Sequence, residues 1–216
     1  MILLLISLFI GSIPTPSGYT RVQTDGFGTY LRKIDLKKDK TVYLYNGQRK
    51  ANQDAQYAVL DVSVGDQDLQ QCADAVMRLR GEYLLSIGKR PSFRAVSGKY
   101  ITYNFPDKYY STKYFENVFS FCNSYSLEQQ MTHTPIHNIK IGDVLIKGGF
   151  PGHVVIVVDM AVNARGEKIM MLAQSYMPAQ DIHVLKGPID GVWYPVRDGV
   201  IDTPEWTFQS NQARTW

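Results

Sequence analysis

Little in this sequence points to metal, nucleotide or serine chemistry. Its 216 residues contain two cysteines and four histidines, and these form no metal-ligand cluster. The sequence also lacks a phosphate-binding glycine loop, a dinucleotide fingerprint and a Gly-x-Ser-x-Gly elbow. We therefore expect neither a metal nor a cofactor.

Long hydrophobic runs are scarce as well. The run that stands out is MILLLISLFIG at residues 1–11, which is too short to span a bilayer but suits the apolar centre of a signal peptide. We expect residues 1–12 to be a signal peptide, which implies export to the periplasm or cell surface; the alternative is a buried first strand. No Lys or Arg precedes the run, so the start could be truncated. No other segment is expected to cross a membrane.

Acidic and basic residues are interspersed and nearly balanced. The net charge is +3, and the chain is 20% charged and 44% hydrophobic, a composition typical of a folded protein. Because no long basic block is present, nucleic acid is not an expected partner. The length suits a single domain, which we expect at residues 13–216.

One segment, DQDLQQCADAVMRLRGEYLL, has the clearest helical pattern in the chain. Asp68 is the expected N-cap, Gly88 the expected end, and apolar residues recur at three-and-four spacing from residue 69 to 83. Cys72 therefore lies in the first turn, near the positive end of the helix dipole, where a thiol pKa is lowered. The alternative is that Cys72 is a small core residue.

The rest of the chain predicts a mixture of helices and strands. Further helices are expected within residues 25–36 and at 109–127, and strands at 41–45, 57–64, 99–103, 139–146, 153–158, 168–174, 182–185 and 193–194. The short turn at residues 163–166 makes the strands on either side of it antiparallel neighbours. The tail after Gly199 is expected at the surface.

A histidine stands at the mouth of a buried strand in GGFPGHVVIVV. His153 follows Gly152, whose missing side chain would let a substrate backbone approach. The other histidines are weaker candidates: His133 and His137 have a metal-ligand spacing that Pro135 interrupts, and His183 is expected at an exposed edge. A cysteine and a histidine brought together by folding form a nucleophile and its base, although His153 could equally be a structural residue.

A third group usually orients the base and fixes its tautomer. Asp159 is on the same strand as His153, but six residues place it roughly 20 Å away. The next strand returns toward the start of the His153 strand, so the amide of Gln174 is the better-placed partner.

The order of these features resembles the NlpC-type cell-wall peptidases of the papain-like superfamily. The resemblance implies an α+β, papain-like (NlpC-type) domain in which an N-terminal helix carrying the cysteine packs on an antiparallel β-sheet. Cys72, His153 and Gln174 match the nucleophile, base and orienter. The sequence departs from the D-C-S/A-G pattern of those peptidases, because Gln71 precedes the cysteine and Ala73 is followed by Asp74 rather than glycine.

Three segments carry a closer resemblance: QQCADAVMRLRGEYL, IGDVLIKGGFPGHVVIVVDMAVN and LAQSYMPAQDIHVL. They are similar to a family of uncharacterised exported Bacteroidetes proteins, a domain of unknown function that covers nearly all of the chain. That family carries no assigned activity.

Three hypotheses follow. The first is a cysteine peptidase or amidase of the cell envelope that acts on an amide bond, for example in peptidoglycan peptides. Gln71 or Gln70 would bind the oxyanion together with the Cys72 N–H, and Gly152 would contact the substrate. The second is a non-catalytic envelope-binding module on the same fold, whose groove is lined by Tyr176, Trp193 and Tyr194. The third is a structural domain with a disulfide between Cys72 and Cys122.

Overall fold

The computed structural model describes residues 8–105 and 111–216. Within them the chain forms a mixed α+β fold with a large antiparallel sheet and four α-helices. Residues 1–7 of the expected signal peptide and residues 109–110 of an expected helix lie outside this described part. Residues 10–12 form a 3₁₀ turn, and Ile10 is fully buried with its amide bonded to the carbonyl of Ile34.

The helices are α1 (Gly26–Arg32), α2 (Cys72–Ser86), α3 (Ser111–Phe121) and α4 (Ser124–Gln130). A single helix over 109–127 was expected, and the structure shows that this is wrong. Asn123 adopts an extended backbone and its side chain accepts the amide of Ser126 at 3.0 Å, so that it caps a new helix. Asn side chains favour such caps because they satisfy an otherwise unpaired helical N–H.

The N-cap of helix α2 lies three residues later than the expected one. Its N-cap is Gln71, whose backbone N–H donates to the Asp74 carboxylate at 3.1 Å. Asp68 instead accepts the backbone N–H of Ala179 at 2.6 Å and ties the segment before α2 to another loop. Cys72 is therefore the first residue of α2, which agrees with its expected location in the first turn.

The strands are β1 (Tyr19–Arg21), β2 (Gln56–Val59), β3 (Ser92–Arg94), β4 (Tyr100–Thr102), β5 (Thr132–His133), β6 (Val144–Lys147), β7 (His153–Asn163), β8 (Lys168–Gln174), β9 (His183–Leu185), β10 (Trp193–Pro195), β11 (Val200–Asp202), β12 (Thr207–Gln209) and β13 (Ala213–Thr215). The main sheet has the order β2-β9-β8-β7-β6-β13-β5, with β1 also paired to β7 and β10 to β8. Two separate hairpins, β3–β4 and β11–β12, complete the set within the described residues.

The centre of the sheet is the β7–β8 hairpin that the sequence predicts. The strands are antiparallel, with Ile156 opposite Ala173, and the turn lies at residues 163–167. Strand β7 runs five residues beyond the expected end at 158. A bulge after Val157 shifts the register there.

Both faces of this sheet are buried, which explains the unbroken apolar run of β7. Val154 and Ile156 pack with the helices on one face, whereas Val155 and Val157 contribute to a second core on the other. The C-terminal tail covers that second face, with Phe208 fully buried. The prediction that the tail lies at the surface is therefore wrong. The tail is partly buried because it shields the apolar second face of the sheet from water.

Two further expectations are corrected. Residues 41–45 form no strand and make only isolated bridges, between Tyr43 and Arg49 and between Leu44 and Gln180. The strand expected at 57–64 is the shorter β2, which pairs with β9. The predicted α1, the strand at 99–103 (β4), β8 and the strand at His183 are confirmed in place. No helix among the described residues combines the length and the apolar character needed to cross a membrane.

Candidate active site

Cys72 meets the sheet where β7 begins and β8 ends. The backbone N–H groups of Ala73, Val154 and Cys72 itself act to lower the pKa of the thiol. Just beside it, the hydroxyl of Ser175 donates to the carbonyl of Gln70 at 2.9 Å. This bond fixes the segment before α2 against the residue that directly follows Gln174.

His153 is the first residue of β7 and is only 1% exposed. Its ring packs among aromatic side chains, with centroid distances of 4.7 Å to Tyr176, 5.3 Å to Trp206 and 5.9 Å to Phe208. The alternation along β7 puts this ring on the sheet face opposite α2. Cys72 belongs to the core on the helix face, so the thiol and the imidazole lie at the start of β7 on opposite faces of the sheet.

The structure joins His153 to the predicted third residue. Nε2 of the ring lies 2.7 Å from Oε1 of Gln174, the last residue of β8. Gln174 in turn donates through Nε2 to Glu205 at 2.8 Å, and Glu205 forms an ion pair with the buried Lys50. The described residues thus form a continuous polar chain from the imidazole to a buried ion pair.

His183 belongs to this cluster. It is fully buried, so the expectation of an exposed edge residue is wrong. Its Nδ1 lies 2.9 Å from the carbonyl of Asp181, and its Nε2 lies 3.4 Å from Nε2 of Gln174. Strand β9 is covered on its outer side by β2, which is why this strand is not an exposed edge.

Burial is the main cause of the pKa shifts of Cys72 and His153. Desolvation, and next the nearby Asp74 carboxylate, raise the pKa of Cys72 to about 12, although the three backbone N–H groups oppose the shift. Desolvation lowers the pKa of His153 to about 4 against the opposing effect of the Gln174 hydrogen bond. Both groups are consequently uncharged at neutral pH, and a resting thiolate–imidazolium pair is not favoured.

A pocket of about 200 Å³ opens over Cys72. The loop before β7 and the segment before α2 form its walls, and the exposed side chains of Phe150 and Met177 form an apolar rim. Cys122 and Asp74 also line it, and one oxygen of Asp74, Oδ1, is buried without a hydrogen-bond partner among the described residues. The thiol is therefore accessible from a crevice large enough for a small side chain or peptide group.

The other predicted contact residues have different surroundings. Gln71 lines the pocket, but its side chain donates to Asp68 at 3.1 Å. Gly152 also lines it, and a side chain there would meet Ser124 Oγ at 2.5 Å and backbone oxygens of the same loop. The space left by the missing side chain is thus filled by this chain's own atoms. Tyr176 lies beside the His153 ring rather than in the pocket wall.

Both cysteines are free thiols in the structure. Cys122 follows α3 and is as buried as Cys72, at 6% and 8% exposed respectively. A disulfide between them is therefore not present. Trp193 and Tyr194, expected to line a ligand groove, are instead buried in the two cores.

Comparison with protein families gives one result. A family model described as a domain of unknown function, DUF4846, matches residues 11–111 and 88–215, which together span nearly the whole chain. The chain belongs to the DUF4846 family. All the site residues described above fall within the matched segments. No curated protein and no solved structure matches this DUF4846 chain.

The polar chain in this DUF4846 protein consists of His153, Gln174, Glu205 and Lys50. The sequence did not point to the last two of these residues. Lys50 lies in an irregular segment before β2, and Glu205 lies in the turn between β11 and β12. Neither has a local pattern that marks it, because an isolated charge in a loop normally faces solvent. The alternation of Phe208 between polar neighbours in β12 is the one available signal that the tail contacts a core.

Proposed function

We propose that this protein is a cysteine hydrolase, a peptidase or amidase, in which Cys72 attacks, His153 exchanges the proton and Gln174 orients the ring. The observation that supports the proposal is that the three residues lie at the same end of the sheet, where β7 begins and β8 ends. The backbone N–H of Val154, the residue after His153, is near enough to Cys72 to lower the pKa of its thiol, and His153 is held by Gln174 at 2.7 Å. These are the parts that thiol acyl transfer needs.

The proposed reaction begins with two neutral groups. As the Cys72 sulfur attacks the carbonyl carbon of an amide, its proton moves to Nδ1 of His153, the ring nitrogen not bound to Gln174. The backbone N–H of Cys72, at the N-terminus of α2, then donates to the developing oxyanion and stabilises it. The imidazolium then protonates the departing amine, which leaves a thioester on Cys72.

The second half reverses these roles. A water molecule loses its proton to His153 and attacks the thioester carbonyl. The tetrahedral intermediate releases the carboxylic acid, and the proton returns from His153 to the thiolate of Cys72. Atoms balance as one amide plus one water giving one acid and one amine.

The proposal includes a papain-like domain of the NlpC type and a substrate in the cell envelope. The order of elements supports the first part: a helix carrying Cys72, then the strand of His153, then the antiparallel strand of Gln174. The size and the apolar rim of the pocket support the second part, the substrate in the cell envelope, because they suit a peptide. We further propose export to the periplasm or cell surface, based on the apolar run at residues 1–11, and fractionation of a tagged chain tests this.

The test compares two cysteine variants of the full chain. Purified peptidoglycan and its stem peptides are incubated with the wild type, Cys72→Ala and Cys122→Ala, and newly released amines are identified by mass spectrometry. We expect hydrolysis by the wild type and Cys122→Ala, and none by Cys72→Ala. Cys122→Ala is a matched control because it is equally buried in the same pocket. Hydrolysis that survives in Cys72→Ala overturns the proposal.

One observation favours the second candidate, a non-catalytic binding module. Cys72 is 8% exposed and its pKa is raised, whereas cysteine nucleophiles generally have a lowered pKa. In that case the pocket and its Phe150–Met177 rim bind a peptide without cleaving it. Binding of stem peptides that is measurable by calorimetry and unchanged in Cys72→Ala, with no hydrolysis by the wild type, identifies this function.

A further inference from the structure

The polar chain that runs from His153 through Gln174 reaches Glu205, whose side chain can only accept hydrogen bonds. Glu205 Oε2 faces the ammonium of Lys50, which has three donors and no acceptor. Lys50 is buried and Glu205 nearly so, and a buried ammonium requires a charged partner. Glu205 is therefore a carboxylate, and the group opposite it at 2.8 Å must be the NH₂ of Gln174.

His183 imposes the same requirement from a second direction. Its Nδ1 faces the carbonyl oxygen of Asp181 at 2.9 Å, and since a carbonyl only accepts, this nitrogen carries the proton. Desolvation by burial lowers the pKa of His183 to about 3, so the ring is neutral at neutral pH. Its Nε2 is then an acceptor, and it lies 3.4 Å from the amide nitrogen of Gln174.

These two acceptors determine which way the Gln174 amide points. A flipped amide would direct its oxygen at both the Glu205 carboxylate and the lone pair of His183, which leaves buried acceptors without donors. In the observed orientation the oxygen faces His153, which must donate from Nε2. A neutral His153 with its proton on Nε2 has its lone pair on Nδ1, the nitrogen that a general base uses here.

We infer that Glu205 and His183 are positioning residues, which hold the Gln174 amide in one orientation and so keep His153 in the tautomer that accepts a proton at Nδ1. Lys50 contributes by donating to Glu205 and so holding its carboxylate in place. The assignment of His153 as a base rests on the proposed function. The tautomer itself does not, because it follows from the hydrogen-bond partners alone.

The test replaces the ion pair as a unit. Removing Glu205 alone leaves a buried, unpaired ammonium and could unfold the chain, whereas replacing both partners with apolar residues of similar size is often tolerated. The variant is therefore Glu205→Leu/Lys50→Met. The control is Asn52→Ala, which removes the 3.1 Å bond to the other carboxylate oxygen and leaves the Gln174 contact in place.

The readout is the protonation of each His153 ring nitrogen, measured by long-range ¹H–¹⁵N correlation at neutral pH in full-length protein. We expect a single Nε2–H tautomer in the wild type and in Asn52→Ala, and a mixture of tautomers in the double variant. The rate of Cys72 alkylation by iodoacetamide should fall about tenfold or more in the double variant, in line with the loss of a hydrogen bond to a charged group. Thermal unfolding of each variant verifies that it is folded.

Two failures are distinguishable. An unchanged tautomer in the folded double variant, or an Nδ1–H tautomer in the wild type, overturns the inference about Glu205 and His183. A wild type with the expected tautomer whose Cys72 reacts no faster than Cys122 leaves the positioning intact and instead contradicts the proposed hydrolase.

Discussion

The reactivity of Cys72 should depend on His153, and the two cysteines of this chain allow the effect to be measured internally. Burial raises the pKa of both thiols to about 12, from an ordinary value of 9.0. Both line one pocket and are similarly buried. Their chief difference is that Cys72 lies near the start of β7, where His153 is the first residue, whereas Cys122 follows α3.

The magnitude follows from the ionised fraction. At pH 8 a thiol with a pKa of about 12 is ionised in roughly one molecule in 10⁴, compared with roughly one in ten for the ordinary value. Burial alone thus slows alkylation of either cysteine by about a thousandfold. A positioned general base contributes about 10²–10⁴-fold, so Cys72 should react at least about a hundred times faster than Cys122.

The assay is alkylation of the native protein with iodoacetamide at pH 8, with each site quantified by peptide mass spectrometry over time. In His153→Gln the ratio of the two rates should fall toward one, because only the faster reaction loses its base. His137→Gln is the control, since that histidine is exposed and lies beside Asp198. A wild-type ratio near one, or a ratio that persists in His153→Gln, refutes the reasoning.

Three further outcomes are expected. Asp74→Asn should shift the pH profile of Cys72 alkylation to lower pH, because that carboxylate raises the thiol pKa; an unchanged profile means that the group is uncharged. Arg32→Met should cost about 1.5–3 kcal/mol in chemical unfolding, because it removes one charged hydrogen bond to the buried Asp159 while Arg21 still pairs with it, whereas Arg165→Met, in an exposed pair, should cost under about 1 kcal/mol. The free energy of unfolding should fall between about pH 6.5 and 4, because the two buried histidines of the site resist protonation when folded and accept it when unfolded; a flat profile over that range contradicts their burial.

The parts of the fold that local patterns encode could be predicted from the sequence. The apolar residues at helical spacing after Cys72 predicted a helix, and the short turn between β7 and β8 predicted an antiparallel hairpin. The structure has both. That hairpin was enough to place Gln174 near His153, which the structure confirms at 2.7 Å. Strand pairing between sequence neighbours is fixed by the turn, so no long-range information was needed.

The parts of the fold that depend on pairing between strands far apart in the sequence could not be predicted. Strand β13 inserts beside β6, although about 65 residues separate the two, and nothing in a short polar tail reveals that partner. The same tail brings Glu205 and Phe208 to the site. Likewise, the burial of His183 follows from the pairing of β9 with β2, which lies far away in the sequence.

The most direct test of the account is whether Cys72 forms a covalent acyl intermediate. p-Nitrophenyl acetate, an activated ester that requires no knowledge of the natural substrate, is added to the wild type, Cys72→Ala and His153→Gln, and the bound acetyl groups are located by mass spectrometry. The account predicts a burst of p-nitrophenol with one acetyl group on Cys72, no burst in Cys72→Ala and slow acetylation in His153→Gln. A wild type with no burst, or with acetyl groups only on Cys122 or surface lysines, contradicts it.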